Sequence, residues 1–148
     1  MALESLAKAW IRADALGGIL SAFDEEEVDP CGVLLGALDN QAVRIQRAPR
    51  TPNTHPQPDR AFRIAPQDLL AIVRKARQEG LTVVGFWHGH LVGPPELGEA
   101  DEEGLAAAEA LGPSARLLIV AAPGSGRARI VRAFTRGRYG PREIPLAT

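Results

Sequence analysis

Residues Leu81 to Trp87 form an apolar run that ends in two histidines, His88 and His90, with only Gly89 between them. The run follows Gly80 and is rich in Val, Phe and Trp, so it reads as a buried strand. If strand geometry persists to residue 90, both imidazoles point to the same side about 6 to 7 Å apart. At that spacing two ring nitrogens can reach one metal ion at about 2.0 to 2.1 Å each, with Asp101 as a third ligand and a fourth position open. The competing reading is two core histidines, each satisfied by a backbone carbonyl. Burying two neutral rings needs two sets of hydrogen bonds, whereas a metal satisfies one nitrogen of each. Asp101 also suits a helix N-cap ahead of Glu102 and Glu103. The residues alone leave both readings open.

The rest of the chain supplies the elements around that strand. Leu3, Leu6, Trp10 and Ile11, then Leu16, Ile19, Leu20 and Phe23, recur at helical spacing, broken at Gly17-Gly18, and predict one or two helices over the first 23 residues. Cys31 to Gly36 and Ala42 to Gln46 flank Asp39-Asn40 as a hairpin. Ala48 to Arg60 carries four prolines and reads as a loop, and Phe62-Arg63-Ile64 re-enters the fold. Pro66 starts a helix that Gly80 closes. A second helix follows from Glu102 to Leu111 with Asp101 at its front. Arg116 to Ala122 is another buried strand, Ala128 to Thr135 continues beyond a glycine turn, and the last dozen residues show no regular pattern. Helices and strands mixed in this way indicate a sheet flanked by helices.

Composition narrows the setting. At 148 residues and 45% hydrophobic content, one globular domain over residues 1–148 is expected. The formal charge of -1 argues against wholesale attraction to nucleic acid or membrane surfaces. The arginines of the last third, Arg116 through Arg142, read as a solvated strand edge. Cys31 is the single cysteine, which excludes an internal disulfide and fits a reducing compartment; it is expected to be packed and inert. No signal-peptide pattern and no run of 18 apolar residues is present, so a cytoplasmic protein with no membrane partner is expected.

His88-Gly89-His90, seven residues, position 98, two residues and Asp101 together resemble the His-x-His-x7-Ser-x2-Asp signature of the JAMM (MPN-plus) zinc metallopeptidases. Asp29-Pro30-Cys31-Gly32-Val33-Leu34-Leu35-Gly36 is similar to that family's Glu-x-Cys-Gly-Leu-Leu-x-Gly strand. Pro52-Asn53, Arg60 to Ile64 and the helix after Pro66 then occur in the family's order, and the chain most resembles the family's short stand-alone bacterial members. The resemblance implies an α/β fold of the JAMM/MPN (cytidine-deaminase-like) type, a mixed sheet flanked by helices. It implies Zn2+ on His88, His90 and Asp101, and hydrolysis of a peptide or isopeptide bond by an activated water. The substrate it implies is the C-terminal tail of a ubiquitin-like or sulfur-carrier protein, or a small peptide; a homodimer is compatible with it.

Four positions depart from the family pattern; Leu91 in place of a usual proline and Gly89 in place of the usual serine between the histidines alter loop shape rather than the metal site, and the other two bear on catalysis. The catalytic glutamate is replaced by Asp29, one methylene shorter, with Glu27 as the alternative carboxylate on the same side of the strand. The serine that donates to the tetrahedral intermediate is replaced by Gly98, and the backbone N–H of Gly98 or of a nearby residue is the expected partial substitute. The resemblance therefore implies either a working zinc hydrolase or a weakened zinc-binding scaffold.

Overall fold

The run that begins at Leu81 becomes β5 (Thr82–Gly89), buried from Val83 onward. The computed structural model describes residues 6–25, 28–94, 96–126 and 128–148, with only the backbone at Asp24. Ahead of β5 come β1 (Lys8–Ile11), α1 (Ala13–Glu25), β2 (Cys31–Asp39), β3 (Ala42–Arg47), β4 (Arg50–Thr51) and α2 (Pro66–Gln78). After it come α3 (Glu99–Glu109), β6 (Leu117–Pro123), β7 (Arg129–Gly137), β8 (Gly140–Ile144) and β9 (Leu146–Ala147). One mixed sheet in the order β8-β7-β6-β5-β2-β3-β1-β9 results, with β4 pairing β2.

β5 is central because both its edges are taken. β2 pairs it antiparallel, with Cys31 opposite His88, and β6 pairs it parallel, with Val120 opposite His88. On one face α1 covers a core containing Ile19, Leu34, Trp87 and Ile119. On the other, α2 and α3 cover Val33, Phe86, Leu105, Leu118 and Val120. Strict alternation from Val83 would put Trp87 on the α2/α3 side and His88 under α1. A register shift opposite Leu34/Leu35 exchanges them, as a β-bulge does when it re-aims a side chain. Trp87 then joins the α1 core, and His88 faces α3.

Gly85 sits at this irregularity, where a Cβ would come 1.9 Å from the Leu117 carbonyl oxygen. Only a residue without a side chain permits β5 and β6 to pair so closely there.

Three expectations change. Lys8–Ile11 is a strand pairing parallel with β3, not part of a helix, because Ala9 and Ile11 face the core while Lys8 is exposed; pairing overrides the weak helical spacing. Residues 1–5 lie outside the described residues. The final dozen residues form β8 and β9, pairing β7 and β1, with Ile144 buried among them. α3 begins at Glu99, so its N-cap is Gly98 and Asp101 is the third helical residue. The hairpin holds as read, with Asn40 in the left-handed region at its turn (φ 55°), a conformation asparagine tolerates. Among the described residues no helix is long and apolar enough to cross a membrane.

Two glycines should respond oppositely to alanine. Gly17 lies exposed in α1, and a Cβ added there would have nothing within 4 Å, so Gly17→Ala should stabilise by about 0.5–1 kcal/mol. Gly85→Ala should destabilise by about 1–3 kcal/mol or more. Urea midpoints of the two variants check both signs.

Candidate metal centre and active site

His88 is fully buried at the carboxyl end of β5, and His90 lies just past it. The chain is held there by backbone bonds, from the Gly89 N–H to the Pro30 carbonyl (2.8 Å) and from the His90 N–H to the Ala121 carbonyl (2.7 Å). Gly89 must be small in this setting, since a Cβ would meet the Pro30 ring at 2.7 Å and Phe23 at 3.1 Å. The two imidazoles stand edge-to-face with centroids 4.9 Å apart.

Asp101 joins them from α3. Its Oδ1 lies 2.7 Å from His88 Nδ1 and its Oδ2 2.9 Å from His90 Nε2. Oδ2 also accepts the Gly98 N–H at 3.0 Å, the return arm of a capping box. The expected N-cap role is thus corrected: Asp101 reaches back to the cap instead of forming it. Of the expected substitutes for the serine hydroxyl, the Gly98 N–H is already engaged by Asp101.

Asp29 approaches from the start of β2 and is 5% exposed. Its Oδ1 accepts the Leu91 N–H at 3.1 Å, and its Oδ2 stands 3.4 Å from His88 Nε2. That last pair is within ion-pair distance but makes no hydrogen bond, leaving His88 Nε2 a buried nitrogen without one. Glu27, the alternative carboxylate, lies outside the described residues. Cys31 is buried beside the site, its Sγ 3.5 Å from Thr51 Oγ1.

The donor set asks for a cation. His90 Nδ1 is 2.7 Å from the Pro94 carbonyl, an obligate acceptor, so Nδ1 carries the hydrogen and Nε2 of the neutral ring turns its lone pair toward Asp101 Oδ2. His88 likewise has a carboxylate oxygen at each ring nitrogen. Facing acceptors at these distances need a proton or a metal ion between or beside them. With protons alone, burial works to lower the pKa of both rings. Hydrogen bonding to Asp101, aided at His88 by Asp29 and at His90 by the Pro94 carbonyl, outweighs it and raises both above 6.5. For Asp101, burial would raise the pKa, but the bonds from His88, His90 and the Gly98 N–H hold it well below the usual carboxylate range. One ligand atom from each of His88, His90 and Asp101 can be chosen with all three within 4.8 Å of one another. Two imidazoles and a carboxylate suit zinc, so the residues present fit that ion.

Three of the C-terminal arginines are engaged within the fold. Arg136 pairs with Glu109 at 2.8 Å, Arg132 approaches Glu96 and Glu143, and Arg142 donates to the Leu6 carbonyl. Sequence reading missed Asn53 and Phe62 as neighbours of the site; the order Pro52-Asn53 before Phe62 was visible, but not the fold of the loop that brings them in.

Residues 21–134 match the prokaryotic homologs of the JAB domain, and the chain belongs to that family. It is 30% identical over 90 residues to a desampylase of Pyrococcus furiosus, a match covering 61% of this chain and 61% of that protein. It is 30% identical over 98 residues to a desampylase of Haloferax volcanii, covering 63% of this chain and 69% of the relative. The solution structure of a Desulfitobacterium hafniense protein superposes with a TM-score of 0.78 at 18% identity, covering 95% of this chain and 92% of that one. That likeness establishes the shared α/β fold.

Removing the shared carboxylate should be costly in the metal-free protein. Asp101→Ala would leave the buried His88 and the half-buried His90 imidazoles without their shared partner, a loss of about 3–5 kcal/mol. Urea unfolding in the presence of a chelator measures it, and a change below about 1 kcal/mol would contradict the bridging role.

Proposed function

We propose that this protein is a zinc-dependent hydrolase that cuts a peptide or isopeptide bond at the C-terminal tail of a ubiquitin-like or sulfur-carrier protein. The observation carrying the proposal is the convergence of His88, His90 and Asp101 with a fourth group, the Asp29 carboxylate, facing His88 Nε2 at 3.4 Å. Family membership and the likeness to two desampylases support an isopeptidase-like reaction on a ubiquitin-like modifier.

His88, His90 and Asp101 would hold the zinc, which supplies a Lewis acid that polarises the scissile carbonyl and acidifies a water. Asp29 is the proton carrier. The Leu91 N–H fixes its Oδ1, so Oδ2 is the oxygen aimed at the site, free to take the water's proton and pass it to the leaving amine. The Pro94 carbonyl and the buried wall around His88 hold the rings in place, so little reorganisation accompanies the reaction. The substrate that the family resemblance implies, an extended glycine-rich tail, would add as a strand beside a sheet edge.

Gly98 favours a second reading, a zinc-binding scaffold with weakened catalysis. Its N–H serves Asp101, so no donor replaces the serine hydroxyl at that position. Space for one remains, because a Cβ on Gly98 would have only Asp101 Oδ2 nearby, at 3.8 Å.

Cleavage of a ubiquitin-like protein with an amide-linked tail extension, followed by mass spectrometry with zinc and with chelator, tests the proposal. Chelator-sensitive release of the extension is expected; an intact adduct alongside full zinc loading leaves only the scaffold. Asp29→Asn should lower turnover by about 100-fold or more while zinc content stays unchanged. Gly98→Ser should fold normally and raise turnover by about 100-fold, the scale of one oxyanion donor. No gain in that variant would mean that the chain stabilises the intermediate by another group.

A further inference from the structure

The proline-rich segment between β4 and α2 is organised by one side chain. Asn53 Nδ2 donates to the carbonyl oxygens of Ala61 (2.9 Å), Asp29 (3.0 Å) and Pro58 (3.3 Å). Its Oδ1 accepts the N–H groups of His55 and Arg63, both at 3.1 Å. A side-chain amide has two donor hydrogens and two acceptor lone pairs, so every one is engaged and one hydrogen is shared. The Asp29 N–H closes the same network on the Pro58 carbonyl at 3.0 Å.

Ala61 and Arg63 flank Phe62, so the amide grips the backbone on both sides of that ring. Phe62 lies over the His88 imidazole with centroids 4.8 Å apart and planes inclined by 34°. It meets Phe86 edge-on at 6.1 Å. Its Cε1–Cζ edge is received by Gly104 in α3, where a Cβ would come 2.5 Å from the ring. A glycine inside a helix costs about 1 kcal/mol relative to alanine, and the seat for Phe62 explains its presence. Hydrogen bonds along the imidazole edge set the rotation of His88 in its own plane, whereas the stacked ring sets the tilt of that plane.

We infer that Asn53 is a positioning residue: through Phe62 it sets the plane of His88, and through the Asp29 backbone it fixes the root of the carboxylate that faces that ring. The inference deepens the proposed function and rests on it for the zinc part of its test alone. One loop amide, outside the metal-ligand set, thereby aligns two groups that arrive from different strands.

The test compares wild type, Asn53→Ala, Phe62→Leu and the control Thr54→Ala, which removes an exposed bond to the Arg63 carbonyl in the same loop. Zinc affinity is read by competition with a chelating dye, and the His88 ring C–H resonances are read in metal-free protein, where the Phe62 ring current shifts them. Asn53→Ala and Phe62→Leu should each weaken zinc binding by about tenfold or more and move the His88 signals, while Thr54→Ala leaves both near wild type. Unmoved His88 signals in Asn53→Ala, or equal shifts in Thr54→Ala, overturn the inference even if every variant binds zinc. Should Asn53→Ala fail to fold, Asn53→Ser, which keeps the Phe62 ring but loses the amide's contacts to Asp29, Pro58 and Ala61, takes its place: unmoved His88 signals overturn the inference and shifted ones support it. A wild type that takes up no zinc while its His88 signals respond as expected removes the zinc reading and leaves the positioning role standing.

Discussion

Everything in the site depends on one carboxylate engaging two imidazoles at once. Asp101 places one oxygen on His88 and the other on His90, and a third contact, from the Gly98 N–H, ties it to the start of its own helix. These bonds connect α3 to the end of β5. They also explain why a buried arrangement this polar is tolerable: Asp101 is bonded through both oxygens, and His88 Nε2, which has no hydrogen bond, faces a second carboxylate. A cation resolves that exception, which links the stability of the local fold to the chemistry proposed for it.

The sheet is arranged to deliver His88 to that carboxylate. Its bulge opposite Leu34/Leu35 turns Trp87 into the α1 core and His88 toward α3. Gly85 permits the tight pairing with β6 at the same place, Gly89 gives Pro30 and Phe23 room, and Gly104 admits Phe62. Each of these glycines answers a close approach that a side chain would block, and together they let β5, β6 and α3 close around the imidazole.

Much of the fold, and the cluster of His88, His90 and Asp101, was legible in the chain. The apolar run into His88, the Asn40 turn between β2 and β3, and the Pro66 and Gly80 punctuation of α2 are local signals, and local signals survive folding. Lys8–Ile11 was misread because four residues carry too little periodicity to separate strand from helix, and its parallel pairing with β3 is a long-range contact. The two-residue β9, which pairs β1, is hidden for the same reason; β8 pairs β7 across a tight turn, but its sequence, Gly140-Pro141-Arg142-Glu143-Ile144, has no apolar alternation to mark it. At the site, spacing brought out His88, His90 and Asp101, but not the role of Asp101 as the third helical residue, which depends on where Gly98 begins the helix. Asn53 and Phe62 stayed hidden because proline-rich loops have no period to read; their effect comes entirely from tertiary hydrogen bonds and stacking.

The central claim is that His88, His90 and Asp101 form a zinc centre without sulfur, although Cys31 lies opposite His88 in the adjoining strand. Zinc K-edge X-ray absorption on the purified protein tests it most directly. The account predicts one zinc per chain with only nitrogen and oxygen neighbours at about 2.0–2.2 Å and imidazole scattering from two rings. Absence of zinc, or a sulfur neighbour near 2.3 Å, would contradict it.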